Sequence, residues 1–182
     1  FSYSSCCRNT SNNLSSGSSQ NYYWESTLNN AAAPCNNSPV ITAQPIPYTC
    51  INQAVIYNFG VLEPDGNTLV YSLVPAMTSA TGTTPYAGGA SGAAPLAGIT
   101  INPATGEINF TPTTLGNYVV VVLIEEYDAN GVLVGSIMQD FQFEVINCPG
   151  NNNPVPPAAG PVGWRGPPAR RRQCARRHAP GR

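Results

Sequence analysis

The sequence predicts an all-β fold, an antiparallel β-sandwich built around residues 98–148. This segment is rich in Val, Ile, Tyr, Phe and Thr, and Asn-Pro, Thr-Gly, Thr-Pro and Asn-Gly turn signals divide it, which is typical of antiparallel strands. Charged residues are only 9% of the 182 residues, and a composition dominated by Gly, Pro, Asn, Thr and β-branched residues indicates turn-rich sandwiches. No helical pattern competes within the segment.

Residues 1–33 contain two short alternating stretches, residues 1–4 and 22–28, separated by a Ser/Asn-rich loop. Two strands alone cannot bury a face. They are therefore predicted to be the C-terminal strands of a truncated preceding β domain, in keeping with a chain that starts at Phe1 without a signal peptide. The alternative is that they extend an edge of the following domain.

The main domain is predicted to span residues 34–148. Its first strands are short and interrupted by proline, as edge strands are, and residues 75–97 form a long Ala, Gly, Thr and Pro loop of a kind that is usually functional or mobile. The predicted strands are residues 40–43, 46–49, 54–59, 68–74, 99–102, 106–110, 116–127 and 132–146.

The last two strands form a predicted hairpin, because Asn130-Gly131 supplies the positive φ angles of a tight turn. On the return strand one parity is apolar and is assigned to the core face. Its members are Leu133, Ile137, Phe141, Phe143 and Val145. A bulge is predicted at residues 138–140, since so long a flat strand would be unusual.

Composition changes abruptly after Cys148. Residues 149–163 are a Pro/Asn/Gly linker, and the chain then becomes rich in Arg, Pro, Ala and Gly. The sequence predicts a disordered tail over residues 149–182 and favours a reading-frame artefact over a genuine linker or a basic arm. Residues 1–150 hold one base and nine acids, a net charge of 1 − 9 = −8, and such a body repels nucleic acid.

Six cysteines show no metal-ligand spacing. Cysteines at domain edges in a chain without lysine indicate an oxidising, extracellular or cell-surface location with disulfides. The disulfide candidates are Cys6, Cys7, Cys35, Cys50 and Cys148. Six cysteines allow 15 connectivities, so the pairing stays open; for the adjacent Cys6 and Cys7, different partners are favoured over a redox-active pair. The longest apolar run, residues 119–124, is too short to span a membrane.

The body resembles the Cys-bracketed β-repeats of gliding-motility-associated, type IX secreted surface proteins of Bacteroidetes. The resemblance covers nearly all of residues 1–148 and rests on FSYSSCCRN, YYWESTLNN, PCNNSP, EPDGNTLVYSL, TGEINFTP and GNYVVVVLIEEY, followed by the strand ending in VINC. The core is also similar to cadherin-like and immunoglobulin-like repeats of bacterial adhesins. The resemblance implies such a sandwich, acting as a non-catalytic structural or adhesive repeat of a large secreted cell-surface protein. Its implied partners are neighbouring repeats, surface polysaccharide or another cell-surface protein.

Calcium is the candidate cofactor. Glu63, Asp65 and Asn67 alternate in a turn, and Glu126 and Asp128 lie at the end of the final hairpin, so their oxygens could converge on a cation that prefers six to eight oxygen ligands. Related sequences commonly have Asp-Gly-Asp-Ser where this chain has Asp-Gly-Asn-Thr, which removes one carboxylate. The alternative is that these residues only form turns and solvated surface.

Catalysis is not expected, because the single histidine, His178, lies in the tail and leaves the body without a base for a Ser-His-Asp arrangement. Trp24 and Tyr86 are candidate ligand-binding aromatics, since aromatic platforms bind sugar rings. They support an alternative function, a carbohydrate-binding module of an exported protein. The competing explanation for these rings is ordinary packing on a strand.

Overall fold

The computed structural model describes residues 1–44 and 48–150 as eleven strands and one short 3₁₀ helix, Gly17–Ser19. The strands are β1 Ser2–Ser5, β2 Tyr22–Leu28, β3 Val40–Ile41, β4 Tyr48–Cys50, β5 Val55–Tyr57, β6 Val61–Leu62, β7 Thr68–Leu73, β8 Thr100–Ile101, β9 Ile108–Phe110, β10 Gly116–Tyr127 and β11 Leu133–Ile146. The all-β, largely antiparallel prediction is confirmed. Residues 151–182 of the tail predicted over residues 149–182, and residues 46–47 of the strand predicted at residues 46–49, lie outside the described residues.

The large sheet has the order β1-β2-β11-β10-β7, and β4 also pairs with β11. Since β10 occupies one edge of β11, both β2 and β4 use the other, β2 antiparallel at residues 135–137 and β4 parallel at residues 144–146. Two smaller sheets, β5-β9-β8 and β3-β6, complete the fold. The β10–β11 hairpin is thus the centre of the domain.

The larger core lies between the hairpin and the small sheets. Its centre is a group of aromatic rings whose centroids lie 4.8 to 6.0 Å apart, mostly edge to face, the arrangement that ring quadrupoles favour. The rings are Tyr57, Phe59, Phe110, Phe141 and Phe143. Val120, Val122 and Ile124 of β10 face this cluster.

The opposite face of β10 is also covered. Val119 and Val121 point away from the aromatic core and pack with Leu14 and Ala76. The loop over residues 75–97, predicted to be functional or mobile, supplies part of this second layer. This double burial explains the uninterrupted valine run, because a strand that is buried on both faces needs no polar alternation.

The bulge in the hairpin lies elsewhere than predicted. Glu126 is opposite Gly135 and Tyr127 is opposite Leu133, so the extra residue is Val134, beside the turn, whereas residues 138–140 pair regularly. A slip of one residue exchanges the two faces of a strand. Val134 is therefore buried and Leu133, predicted on the core face, is exposed. Ile137, Phe141 and Phe143 pack in or against the aromatic cluster, and Val145 is buried.

Residues 1–33 extend the large sheet, which is the alternative that the sequence did not favour. β2 pairs with β11. At the other edge of the hairpin, the side chain of Asn13 donates to the Val119 carbonyl (2.8 Å) and accepts from its N–H (3.0 Å), while the Asn12 N–H donates to the Asn117 carbonyl (2.7 Å). The N-terminal segment therefore bonds to both edges of the β10–β11 hairpin.

Candidate functional site

Three carboxylates predicted from the sequence meet at one end of the large sheet. Oxygens of Glu63, Asp65 and Glu126 lie within 4.8 Å of one another. Glu63 and Asp65 belong to the turn between β6 and β7, and Glu126 is near the end of β10 in register with Leu69 of β7. The pairing of β7 with β10 thus brings the turn to the buried glutamate, and we name these three residues the carboxylate cluster.

Glu126 is fully buried and is held by two amides. Asn67 Nδ2 donates to its Oε1 and Asn36 Nδ2 to its Oε2, each at 2.8 Å. Burial raises the pKa of Glu126; the two amides oppose the shift, and nearby Glu63 adds to it. Asn67, predicted to be an oxygen ligand, therefore presents its amide nitrogen here, and Asn36 was missed because nothing in PCNNSP signals contact with a residue 90 positions away.

The half-buried Glu63 and the exposed Asp65 also form hydrogen bonds that close turns. Glu63 accepts from the backbone N–H groups of Asp65 (2.9 Å) and Asn67 (2.6 Å). Asp65 accepts from the backbone N–H of Asn37 (2.6 Å) and from its side-chain amide. Glu63 thus closes the β6–β7 turn, and Asp65 connects that turn to the segment before β3, which is the turn-forming role weighed against calcium.

Asp128, the remaining predicted ligand, is not among the clustered carboxylates. It accepts from the backbone N–H groups of Asn130 (2.9 Å) and Val132 (2.8 Å). These bonds lower its pKa, the Val132 contact being the largest cause. Asp128 therefore stabilises the hairpin turn, and three of the five predicted ligands remain as candidate calcium-binding carboxylates.

Calcium binding to the carboxylate cluster stays a prediction, and thermal unfolding tests it. A bound cation removes repulsion among three nearby carboxylates, so the melting temperature is expected to rise in millimolar calcium and to fall with chelator; a ligand at 100 times its Kd adds about 2.7 kcal/mol. Glu126→Gln should abolish the shift, whereas Asp128→Asn should retain it. Equal melting temperatures with and without calcium would remove the prediction.

The raised pKa of Glu126 predicts a pH effect in calcium-free buffer. Because the fold disfavours the ionised carboxylate, the folded state binds this proton more tightly than the unfolded state does. Its contribution to the free energy of unfolding therefore rises as the pH falls from the raised value toward the ordinary value of 4.5. In urea unfolding, the stability of Glu126→Gln minus that of wild type should decrease over this interval. A difference independent of pH would contradict the shift.

A second candidate site is a cavity of about 280 Å³ beside β2. We name it the β2 cavity. Its lining includes Arg8, Asn9, Tyr22, Trp24, Asp140 and Gln142. Tyr86, the other aromatic predicted to bind ligand, does not line it. The ring of Tyr86 packs in the second core, and its hydroxyl oxygen accepts from the Ala76 N–H at 3.0 Å. The structure thus separates the two predicted aromatics.

An ion pair lines the β2 cavity. Arg8 Nη1 donates to Asp140 Oδ1 at 3.0 Å, and Nη2 donates to Oδ2 and to the Met77 carbonyl. The two side chains are only 5% and 11% exposed. The ion pair is therefore bidentate and largely shielded from solvent. Its bonds join the N-terminal segment to β11 and to the 75–97 loop. No local pattern predicts this pair, because its members are 132 positions apart.

Disulfides confirm part of the cysteine prediction. Cys50 bonds to Cys148 across 98 positions, with Cα atoms 5.5 Å apart. Cys6 and Cys7, for which different partners were favoured, bond to each other; Cys7 has a φ of 76°, and the turn after β1 brings the adjacent sulfurs together. Cys35 is not free either. These bonds are compatible with an extracellular protein.

No protein-family model matches the chain, and no curated protein matches it in sequence. The resemblance to Bacteroidetes surface repeats therefore stays a prediction. Across residues 1–44 and 48–150, no helix is long and apolar enough to cross a membrane.

Proposed function

We propose that the chain is a non-catalytic structural and adhesive repeat of a large, exported cell-surface protein. The observation that carries the proposal is the position of the Cys50–Cys148 bond. It lies where parallel β4 meets the end of β11, with Ile146 opposite Cys50. The covalent bond thus closes the large sheet at the point where the chain leaves the described domain.

This position suits a unit that transmits tension between neighbours. A force that enters the chain after Cys148 passes through the sulfur–sulfur bond to Cys50, so residues 51–147 bear none of it along their backbone. The core strands are protected even if the sheet loosens elsewhere. This shielding of residues 51–147 from tension suits a repeat of an extended surface protein.

Cell-surface shaving tests the proposal. In the native cell, external protease is expected to remove the protein from intact cells, and alkylation before reduction should leave Cys50 and Cys148 unlabelled. A cytosolic protein of matched abundance serves as the control for lysis. Protection from protease together with alkylated Cys50 and Cys148 would contradict an exported structural repeat.

The alternative function, a carbohydrate-binding module, is favoured by one observation, the aromatic wall of the β2 cavity. The structural role does not require a ligand. A sugar site would add recognition to the same repeat, and its test is separate.

A further inference from the structure

Three aromatic rings form a row on one face of the β1–β2 hairpin. Tyr22 and Trp24 alternate along β2 and so share a face, and Tyr3 is directly opposite Trp24. The ring of Tyr3 lies 5.6 Å from that of Trp24 and 5.9 Å from that of Tyr22, between centroids. Tyr3 is 49% exposed and Trp24 39%. The rings of Tyr3 and Trp24 are therefore more exposed to solvent than aromatic rings of a core.

Tyr22 and Trp24 of this row also line the β2 cavity, together with the polar side chains of Asn9 and Gln142. Asn9 Nδ2 donates to Gln142 Oε1 at 3.2 Å. That bond leaves the Asn9 oxygen to accept and the Gln142 nitrogen to donate, since each amide carries both functions. At about 280 Å³ the cavity is at the lower end of ligand-binding pockets. Two aromatic rings and a matched donor and acceptor therefore line the same cavity, which is large enough to hold a sugar ring.

Charge limits the class of ligand. Arg8 and Asp140 line the cavity, but each neutralises the other through two hydrogen bonds. An anion would have to compete with Asp140, and a cation with Arg8, for a partner that is already bound and nearly dry. The cavity is thus suited to an uncharged ligand.

We propose that the β2 cavity binds a neutral oligosaccharide. One pyranose ring packs its C–H face on Trp24 and Tyr22, with its hydroxyls bonded to Asn9 and Gln142, and the adjoining sugar lies on Tyr3 outside the cavity. Hydroxyls both donate and accept, as the two amides require, and the C–H face of a sugar meets the negative face of an aromatic ring. This site goes beyond the proposed structural role and does not depend on it.

Fluorescence of Trp24 provides the direct test. The sequence has two tryptophans, so Trp164→Phe in the full chain leaves Trp24 as the reporter. The probes are cellohexaose, laminarihexaose, mannohexaose, xylohexaose and chitohexaose, with hexagalacturonic acid as the anionic comparison. We expect a saturable change in emission with at least one neutral hexaose at up to millimolar concentration, and weaker binding of the acid.

Calorimetry with substituted proteins locates the binding. Trp24→Ala is expected to weaken binding by at least tenfold and Gln142→Ala by several-fold, while Trp24→Phe, which keeps an aromatic face, retains most of it. Tyr48→Ala is the matched control, because Tyr48 is an exposed aromatic on β4 that does not line the cavity. Thermal unfolding of each variant confirms that it is folded.

The proposal would be overturned if no neutral hexaose gave a saturable response, or if hexagalacturonic acid bound more tightly than every neutral hexaose. It would also be overturned if folded Trp24→Ala bound the hexaose with unchanged affinity. Each of these results leaves the structural role untouched, since that role is tested by surface exposure and disulfide state. Loss of affinity in Tyr48→Ala equal to that in Trp24→Ala would also count against this cavity.

Discussion

Replacing both members of the Cys50–Cys148 bond, as Cys50→Ser with Cys148→Ser, is expected to lower the free energy of unfolding by about 4 kcal/mol. The bond closes a loop of 98 positions, and a cross-link of about 100 residues restricts the unfolded chain by about 4 to 5 kcal/mol. In a chain of this size the melting temperature should fall by about 10 °C. Circular dichroism of both proteins without reductant measures the difference.

The double substitution Cys6→Ser with Cys7→Ser is the matched control. The Cys6–Cys7 bond joins neighbouring residues, so it excludes hardly any conformations of the unfolded chain. We expect a change in the free energy of unfolding of less than about 1 kcal/mol. If both double variants lost the same stability, loop closure would not explain the effect of the Cys50–Cys148 bond.

Arg8→Met is expected to lower the free energy of unfolding by about 3 to 5 kcal/mol. It removes both bonds to Asp140 and the bond to the Met77 carbonyl, and it leaves a carboxylate that is only 11% exposed without its partner. Urea unfolding measures the loss. Amide hydrogen exchange should accelerate most in β1 and β2, because the ion pair ties the segment that carries them to β11.

A second substitution distinguishes loss of the ion pair from loss of packing. Arg8→Met combined with Asp140→Leu removes the stranded charge, so the double variant is expected to be more stable than Arg8→Met alone. Strictly additive losses from the two substitutions would show that the charges do not interact. Both substituted residues also line the β2 cavity, so the same two variants show whether the ion pair is needed for an intact cavity.

Local signals in the sequence were sufficient for most of the strands, although β6 was missed, but not for the partners of these strands. Predicted residues 116–127 match β10, because a valine run followed by a tight Asn-Gly turn has few alternatives. The position of the bulge depends on how two strands twist against each other, which leaves no mark in β11 alone. Consequently Val134 and Leu133 exchanged their predicted faces.

Candidate sites followed the same division. The carboxylate cluster was predicted in part, since Glu63 and Asp65 share a turn and the strand after it pairs with the hairpin that holds Glu126. Contacts between distant segments were missed: Asn36 with Glu126, and Arg8 with Asp140. A single amide or arginine in a loop carries no periodicity, so its partner is decided by topology rather than by its neighbours.

The N-terminal segment, bonded to both edges of the β10–β11 hairpin, has a consequence for the order of folding. During synthesis, β1 and β2 emerge well before β11, the strand with which β2 pairs and the last strand of the described residues. Contacts between such distant positions form slowly. Until residue 140 has emerged, Arg8 lacks Asp140 and Asn13 can bond only to an incomplete hairpin. The contacts between the N-terminal segment and β11 therefore form late in the synthesis of the domain.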